Sequence, residues 1–275
     1  MSLVESGAGQ GGVSLAALLE GEPPSCADPG LAVTDLAELV CRGGWPAQLE
    51  QVRQVDVQRL DGRRRDPQRL GALLRSLGRN GATEVKLSTL AADAGGADGP
   101  LDPRTMNDHL QALERLMVLE NQPAWRPHLR SKAALRQGSR RHFCDPSLAV
   151  AALGASPDRL LKDLEWLGLL FESLVIRDLR VLAQALDGEV FHYRDDYGIE
   201  VDAIVQLRDG RWGAIKIKLG EGQVDAAAQG LLRSRQQIDT SRTGEPAFLA
   251  VVCGKGYGYQ RSDGIAVIPV GALGP

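Results

Sequence analysis

Two short segments near the end of the chain constrain it most. Gly198-Ile199-Glu200-Val201-Asp202-Ala203-Ile204-Val205 is followed by Trp212-Gly213-Ala214-Ile215-Lys216-Ile217-Lys218. Both are rich in β-branched residues, and side chains of a strand alternate between faces. Glu200, Asp202, Ile204 and Gln206 therefore share one face, opposite Ile199, Val201, Ala203 and Val205. In the second strand Trp212, Ala214, Lys216 and Lys218 share a face, opposite Ile215, Ile217 and Leu219. The short Asp209-Gly210 turn predicts a hairpin, which puts acids and lysines on one side of a sheet. A core would not choose that pattern. An acid early in one strand and a lysine late in the next is the skeleton of a metal-dependent nuclease site.

The rest of the chain limits what such a hairpin can belong to. With 275 residues there is room for two domains with cores of their own. A formal net charge of -3 gives no bulk attraction to polyanions, so any nucleic-acid role must rest on a local patch. No apolar run approaches the ~20 residues that a membrane span needs. The opening Met1-Ser2-Leu3-Val4-Glu5 has no charged leader or hydrophobic segment, and Cys26, Cys41, Cys144 and Cys253 have no paired spacing. A disulfide framework or zinc knuckle is not expected, and the cytoplasm is the expected compartment.

Residues 1–66 read as a linker-like opening, rich in Gly and Pro, with short helical patches at Leu15–Leu19 and Leu36–Val40. The Gly7–Gly12 string lacks a Gly-Lys-Ser/Thr ending and a preceding strand, so it is read as a turn rather than a phosphate loop. Residues 67–144 form the second section. Leu70, Leu73, Leu74 and Leu77 make one apolar helical stripe. A second helix opens at Leu87 with Ser88 as its N-cap. The third is capped by Asp102, begins with Pro103, is stapled by Leu101 and Met106, and runs its stripe through Met106, Leu110, Leu113 and Met117. Three helices followed by Val118-Leu119-Glu120-Asn121 are the order of a winged helix-turn-helix. The wet side of the third helix carries Arg104, Asn107, Asp108, Gln111, Glu114 and Arg115. Two acids there offset two arginines, which favours packing or protein contact over reading DNA. Between Asn121 and Cys144 there are no acids, while Arg126, Arg130, Lys132, Arg136, Arg140 and Arg141 are basic and interspersed with aromatic residues. This is the candidate nucleic-acid-binding segment; a solvated loop against an acidic partner is the alternative.

Residues 145–275 read as helix, three strands, helix and two strands. The long helix has Leu167, Phe171, Leu174, Val175, Leu182 and Leu186 on its core side, and Ser173, Arg177, Arg180 and Gln184 as its wet stripe. Glu172 stands outside that stripe, beside Gly168 and Ile176, on the flank that meets the core. A strand is expected over Val190–Arg194, then the hairpin, a helix over Val224–Ile238, and strands over Ala247–Val252 and Ile265–Pro269.

Phe171-Glu172-Ser173-Leu174-Val175, His192-Tyr193-Arg194-Asp195, Glu200-Val201-Asp202 and Ala214-Ile215-Lys216-Ile217-Lys218 resemble the C-terminal domain of a bacterial and archaeal ATPase family. Those proteins carry an AAA-type P-loop core, then a winged helix and a C-terminal domain of unknown function similar to the PD-(D/E)XK nuclease fold. Arg42-Gly43-Gly44-Trp45-Pro46, Phe143-Cys144-Asp145-Pro146-Ser147-Leu148 and Met1–Gly7 fit as well, so the resemblance covers essentially the whole chain. It implies the back half of such a protein without the ATPase core. The expected class is α/β (α+β), a winged helix-turn-helix followed by a restriction-endonuclease-like αβββαβ domain.

By that resemblance Glu172, Asp202 and Lys218 are the catalytic positions, with Glu172 and Asp202 as the Mg²⁺ ligands. The chemistry needs carboxylates converging on a hard cation, and a lysine to orient or activate water. Position 216, where the motif has an acid, is Lys216. The change removes a ligand and adds a positive charge close to the ion, so Mg²⁺ binding and catalysis are expected to fail. Glu200 faces the same way as Asp202 and is the one substitute ligand, displaced along the strand. With no metal, Asp202 and the lysines form cross-strand ion pairs.

Three readings follow. The first is a non-catalytic module that binds DNA or another nucleic acid, or a partner, through the basic segment, with a degenerate nuclease-like site and no cofactor. The second is a Mg²⁺-dependent DNA endonuclease that uses Glu172, Asp202 and Lys218. The third is a structural or regulatory fragment that docks on a separate ATPase.

Overall fold

The computed structural model describes residues 1–43, 57, 60, 65–127, 138–195 and 198–275. In chain order the strands are β1 (Val13–Ser14), β2 (Leu119–Gln122), β3 (Arg140–Phe143), β4 (Gly188–Arg194), β5 (Glu200–Leu207), β6 (Trp212–Lys218), β7 (Phe248–Cys253), β8 (Tyr259–Gln260), β9 (Ala266–Pro269) and β10 (Leu273–Gly274). The helices are α1 (Leu15–Leu19), α2 (Val33–Arg42), α3 (Pro67–Arg79), α4 (Leu87–Gly95), α5 (Pro103–Arg115), α6 (Pro146–Leu153), α7 (Pro157–Leu161), α8 (Leu164–Ala185), α9 (Val224–Gln237) and α10 (Thr240–Thr243). The chain is a mixed α/β protein. Among the described residues no helix is long and apolar enough to cross a membrane.

It divides into two compact units, one of residues 37–121 and 140–173, the other of residues 1–36, 122–139 and 174–275. The first unit is mainly helical. Asp66 caps α3 by accepting from the Gln68 amide, Pro67 starts it, and Leu70, Leu73, Leu74 and Leu77 are buried along one side. Each such leucine contributes about 1.5–3 kcal/mol when fully buried. The Asp102 side chain accepts from the Arg104 and Thr105 amides at the start of α5, and Met106, Leu110 and Leu113 are buried beneath it. β2 and β3 form a two-stranded sheet. α6, which the sequence groups with the C-terminal section, packs against α3, where a Cβ on Gly78 would lie 3.3 Å from the Ala149 carbonyl.

Three local expectations are corrected in this unit. α4 is capped at Lys86 without a side-chain bond, so Ser88 lies inside the helix. α5 ends at Arg115, and Met117 follows in a left-handed turn (φ 54°) with 69% exposure, so the apolar stripe stops at Leu113. Ser173 is buried rather than wet, because its hydroxyl meets His142 Nδ1 at 3.1 Å.

The second unit is built on a six-stranded sheet in the order β4-β5-β6-β7-β9-β8. β4, β5 and β6 run antiparallel as a meander; β7 lies parallel to β6 and β9 parallel to β7. The β5–β6 turn closes at Gly210 (φ 95°), with Asp209 accepting from the Arg211 amide. The β6 to β7 crossover carries α9, whose Val224, Ala227, Ala228 and Leu231 pack on a sheet face formed by Val201, Ile204, Trp212, Ala214, Leu249 and Val251. Val201 and Ile204, expected on opposite faces, share this one because the β4–β5 register shifts between them. Gly213 stands opposite Phe248, and a Cβ at that position would fall 2.2 Å from the phenyl ring, so any side chain there would have to push the ring aside.

The β4 edge is extended by the segment after β2. The Trp125 amide donates to the His192 carbonyl at 2.7 Å, and the His192 amide to the Pro123 carbonyl at 3.0 Å. β1 pairs in parallel with β10, so Ala266–Pro269 is not the last strand. Arg177, expected on a wet stripe, is buried in this unit. It donates from Nε (3.0 Å) and Nη2 (2.8 Å) to Asp178 Oδ1, while the Leu3 amide donates to Asp178 Oδ2 at 2.9 Å.

Candidate functional site

The hairpin places Asp202, Lys216 and Lys218 together. The β5–β6 register sets Ala203 opposite Ile215 and Ile204 opposite Ala214, which brings Asp202 to the level of Lys216. Lys216 Nζ donates to Asp202 Oδ1 at 3.0 Å, and the Ile217 amide donates to Asp202 Oδ2 at 2.7 Å. Lys218 Nζ stands 3.9 Å from the same Oδ2. The Asp202 side chain is 5% exposed and that of Lys216 14%. Both carboxylate oxygens are thus committed to protein donors in a partly desolvated place, where charge-assisted bonds are strongest.

The backbone at this point is held from a third direction. Gln122 is fully buried, and its Nε2 donates to the Asp202 carbonyl at 2.9 Å and the Phe191 carbonyl at 3.0 Å. This amide ties β4 and β5 together behind the carboxylate. Farther along the same sheet face, Trp125 Nε1 donates to Gln206 Oε1 at 2.9 Å, and the Trp125 ring lies 4.7 Å from Trp212 and 6.0 Å from Tyr193. In the sequence, the only sign of Gln122 and Trp125 on this face is their position just after the strand expected at Val118–Asn121.

Above the lysines lies an open cleft of about 500 Å³, lined by Glu200, Lys216, Lys218, Gln223, Gly230 and Arg233 among others. Ala226, Ala227, Gly230 and Arg233 share the face of α9 that borders it. Glu200 therefore borders the cleft, while Asp202 sits behind the two lysines.

Glu172 belongs to the helical unit. There Arg140 Nη1 donates to Glu172 Oε1 at 3.0 Å, with the two side chains 4% and 14% exposed. Arg140 is thus an internal partner of an acid. Arg141 is half-buried, with Nη1 directed at the Val85 carbonyl at 3.4 Å, and burial holds its guanidinium below the usual arginine range. Arg126 is exposed. Arg130, Lys132 and Arg136 lie outside the described residues.

The donor set does not suit a divalent cation. Mg²⁺ needs hard oxygen ligands with free lone pairs, and here an ammonium and an amide take those of Asp202, while Glu172 is engaged by an arginine. Among the described residues no group of three His, Cys, Asp or Glu side chains is arranged to hold a metal ion.

Residues 167–273 match the model of a domain of unknown function, DUF4143, and residues 47–159 match that of a second one, DUF8612. DUF4143 domains are commonly associated with AAA-type ATPases. No curated protein and no solved structure matches the chain.

Proposed function

We propose that this chain is a non-catalytic, nucleic-acid- or partner-binding back half of an AAA-type ATPase-family protein. The sheet unit would be a nuclease-like domain whose metal centre has become an ion pair. The order α8, β4, β5, β6, α9, β7, with β7 parallel to β6, supports a restriction-endonuclease-like αβββαβ arrangement. The order α3, α4, α5, β2, β3 supports a winged helix-turn-helix in the helical unit. The DUF4143 match over residues 167–273 supports the ATPase context.

One observation carries the non-catalytic reading: the 3.0 Å contact between Lys216 Nζ and Asp202 Oδ1. An ammonium within hydrogen-bond distance of a carboxylate occupies the place and the charge that a divalent ion would need there. Lys218 cannot act as the lysine of a metal-assisted hydrolysis when the ion it would serve has no ligands.

The test is a cleavage assay on single- and double-stranded DNA and on RNA with Mg²⁺ or Mn²⁺. The wild-type chain is expected to leave all of them intact. Metal-dependent cleavage that disappears in Asp202→Ala would refute the reading and establish the endonuclease. Cleavage that emerges only in Lys216→Glu would show that the rest of the geometry is preserved.

A further inference from the structure

We infer that the cleft bounded by Lys216, Lys218 and Arg233 is a metal-free phosphate site, in which the Lys216 ammonium takes the part of the missing divalent ion. This rests on the proposed loss of the metal and adds the ligand that the altered site would accept. The charges of the lining support it. Among the described residues Lys216, Lys218 and Arg233 bring three cations, and the carboxylates beside them are Asp202 and Glu200. One positive charge remains in excess, which matches the single negative charge of a phosphodiester group.

The positions of the donors fit the same ligand. Asp202 fixes the Lys216 ammonium by a hydrogen bond to one oxygen and stands 3.9 Å from Lys218, within ion-pair range, so one buried carboxylate keeps two ammonium groups beside the cleft. An ammonium has three donors, and the bond to Asp202 uses one of those of Lys216. Among the described residues Arg233 makes no ion pair, and its planar fork suits two oxygens of a phosphate. Gly230 keeps the floor open. Its missing Cβ would lie 3.9 Å from Lys216 Cε, so the lysine stem runs over the bare backbone of α9 and larger side chains there would fill the cleft. A volume of about 500 Å³ is within the range of small-ligand clefts.

A phosphate group reaches such a site either on a nucleic-acid backbone or as free phosphate or nucleotide. The experiment is fluorescence anisotropy with the full chain, short labelled single-stranded DNA, low salt and excess EDTA, with inorganic phosphate and ATP as competitors and as direct ligands in calorimetry. Binding without metal is expected. Lys218→Ala should weaken it about ten-fold, the scale of one lost charge-assisted hydrogen bond, and Gly230→Leu should weaken it at least as much by filling the cleft. Lys218→Ala should also reduce the salt dependence by about one released counterion. Arg211→Ala, at the far turn of the hairpin and paired with Asp209, should change nothing.

DNA binding displaced by phosphate supports the site and assigns it to backbone phosphate. Phosphate or ATP binding without DNA binding supports the site and assigns it to a free phosphate group. Failure of all three ligands to bind in EDTA overturns the inference, as does binding that both cleft variants leave intact, and either result leaves the non-catalytic reading standing. Binding that needs added Mn²⁺ overturns both.

Discussion

Replacing Lys216 by methionine keeps the apolar stem and removes the ammonium that faces Asp202. The carboxylate then keeps the Ile217 amide at 2.7 Å and Lys218 at 3.9 Å. Removing one partner of a buried pair costs about 3–5 kcal/mol, and these two survivors bring the expected loss to about 2–3 kcal/mol. Asp202→Asn retains an oxygen for the Ile217 amide and lets Lys216 turn into the cleft, so its cost is about 1–2 kcal/mol. The double variant carries no stranded charge and should lose about 2 kcal/mol, less than the sum of the single changes, which gives a coupling of about 1–3 kcal/mol. Urea unfolding followed by tryptophan fluorescence measures each value, with midpoints compared at unchanged slope. Trp212 reports directly, since it is buried on the same sheet face. Additivity to within about 0.5 kcal/mol would mean that the two side chains do not depend on each other, and the reasoning would fail.

Two further outcomes follow from the packing. Gly213→Ala drives a methyl into the Phe248 ring and should cost about 1–3 kcal/mol by overpacking, read as a lower melting temperature that Phe248→Leu partly restores. Burial pushes the thiols of the half-buried Cys144 and the fully buried Cys253 up to about 12, so the protonated form persists far above neutrality. At pH 8 only about one in ten thousand would be thiolate, against roughly a quarter of an ordinary cysteine. Alkylation of both, followed by peptide mass spectrometry, should be about a thousand-fold slower than for a free thiol, rise ten-fold per pH unit, and become fast in urea. Rapid modification in the folded state at pH 8 would contradict the burial.

The hairpin was legible because strand alternation and the Asp209-Gly210 turn leave one register free of conflict, and that register put Asp202, Lys216 and Lys218 on one face. The caps at Asp102 and the stripe of α3 were legible for the same reason: their partners lie within a few residues. The long-range partners were not. Nothing local joins Arg140 to Glu172 or Gln122 to the Asp202 carbonyl, since each pairing depends on where distant strands come to lie. Ser173 and Arg177 misled because a periodic polar stripe normally marks solvent, whereas here His142 and Asp178 satisfy those groups inside the protein. Two-residue strands such as β1 and β10 have no periodicity to read.

The central claim is that at Asp202 a lysine stands where a metal ion would bind. Titration of the chain with Mn²⁺ by calorimetry, in parallel with Lys216→Glu, tests that most directly. The wild type is expected to show no saturable binding that depends on Asp202. A stoichiometric Mn²⁺ site in the wild type, abolished by Asp202→Ala, would contradict it.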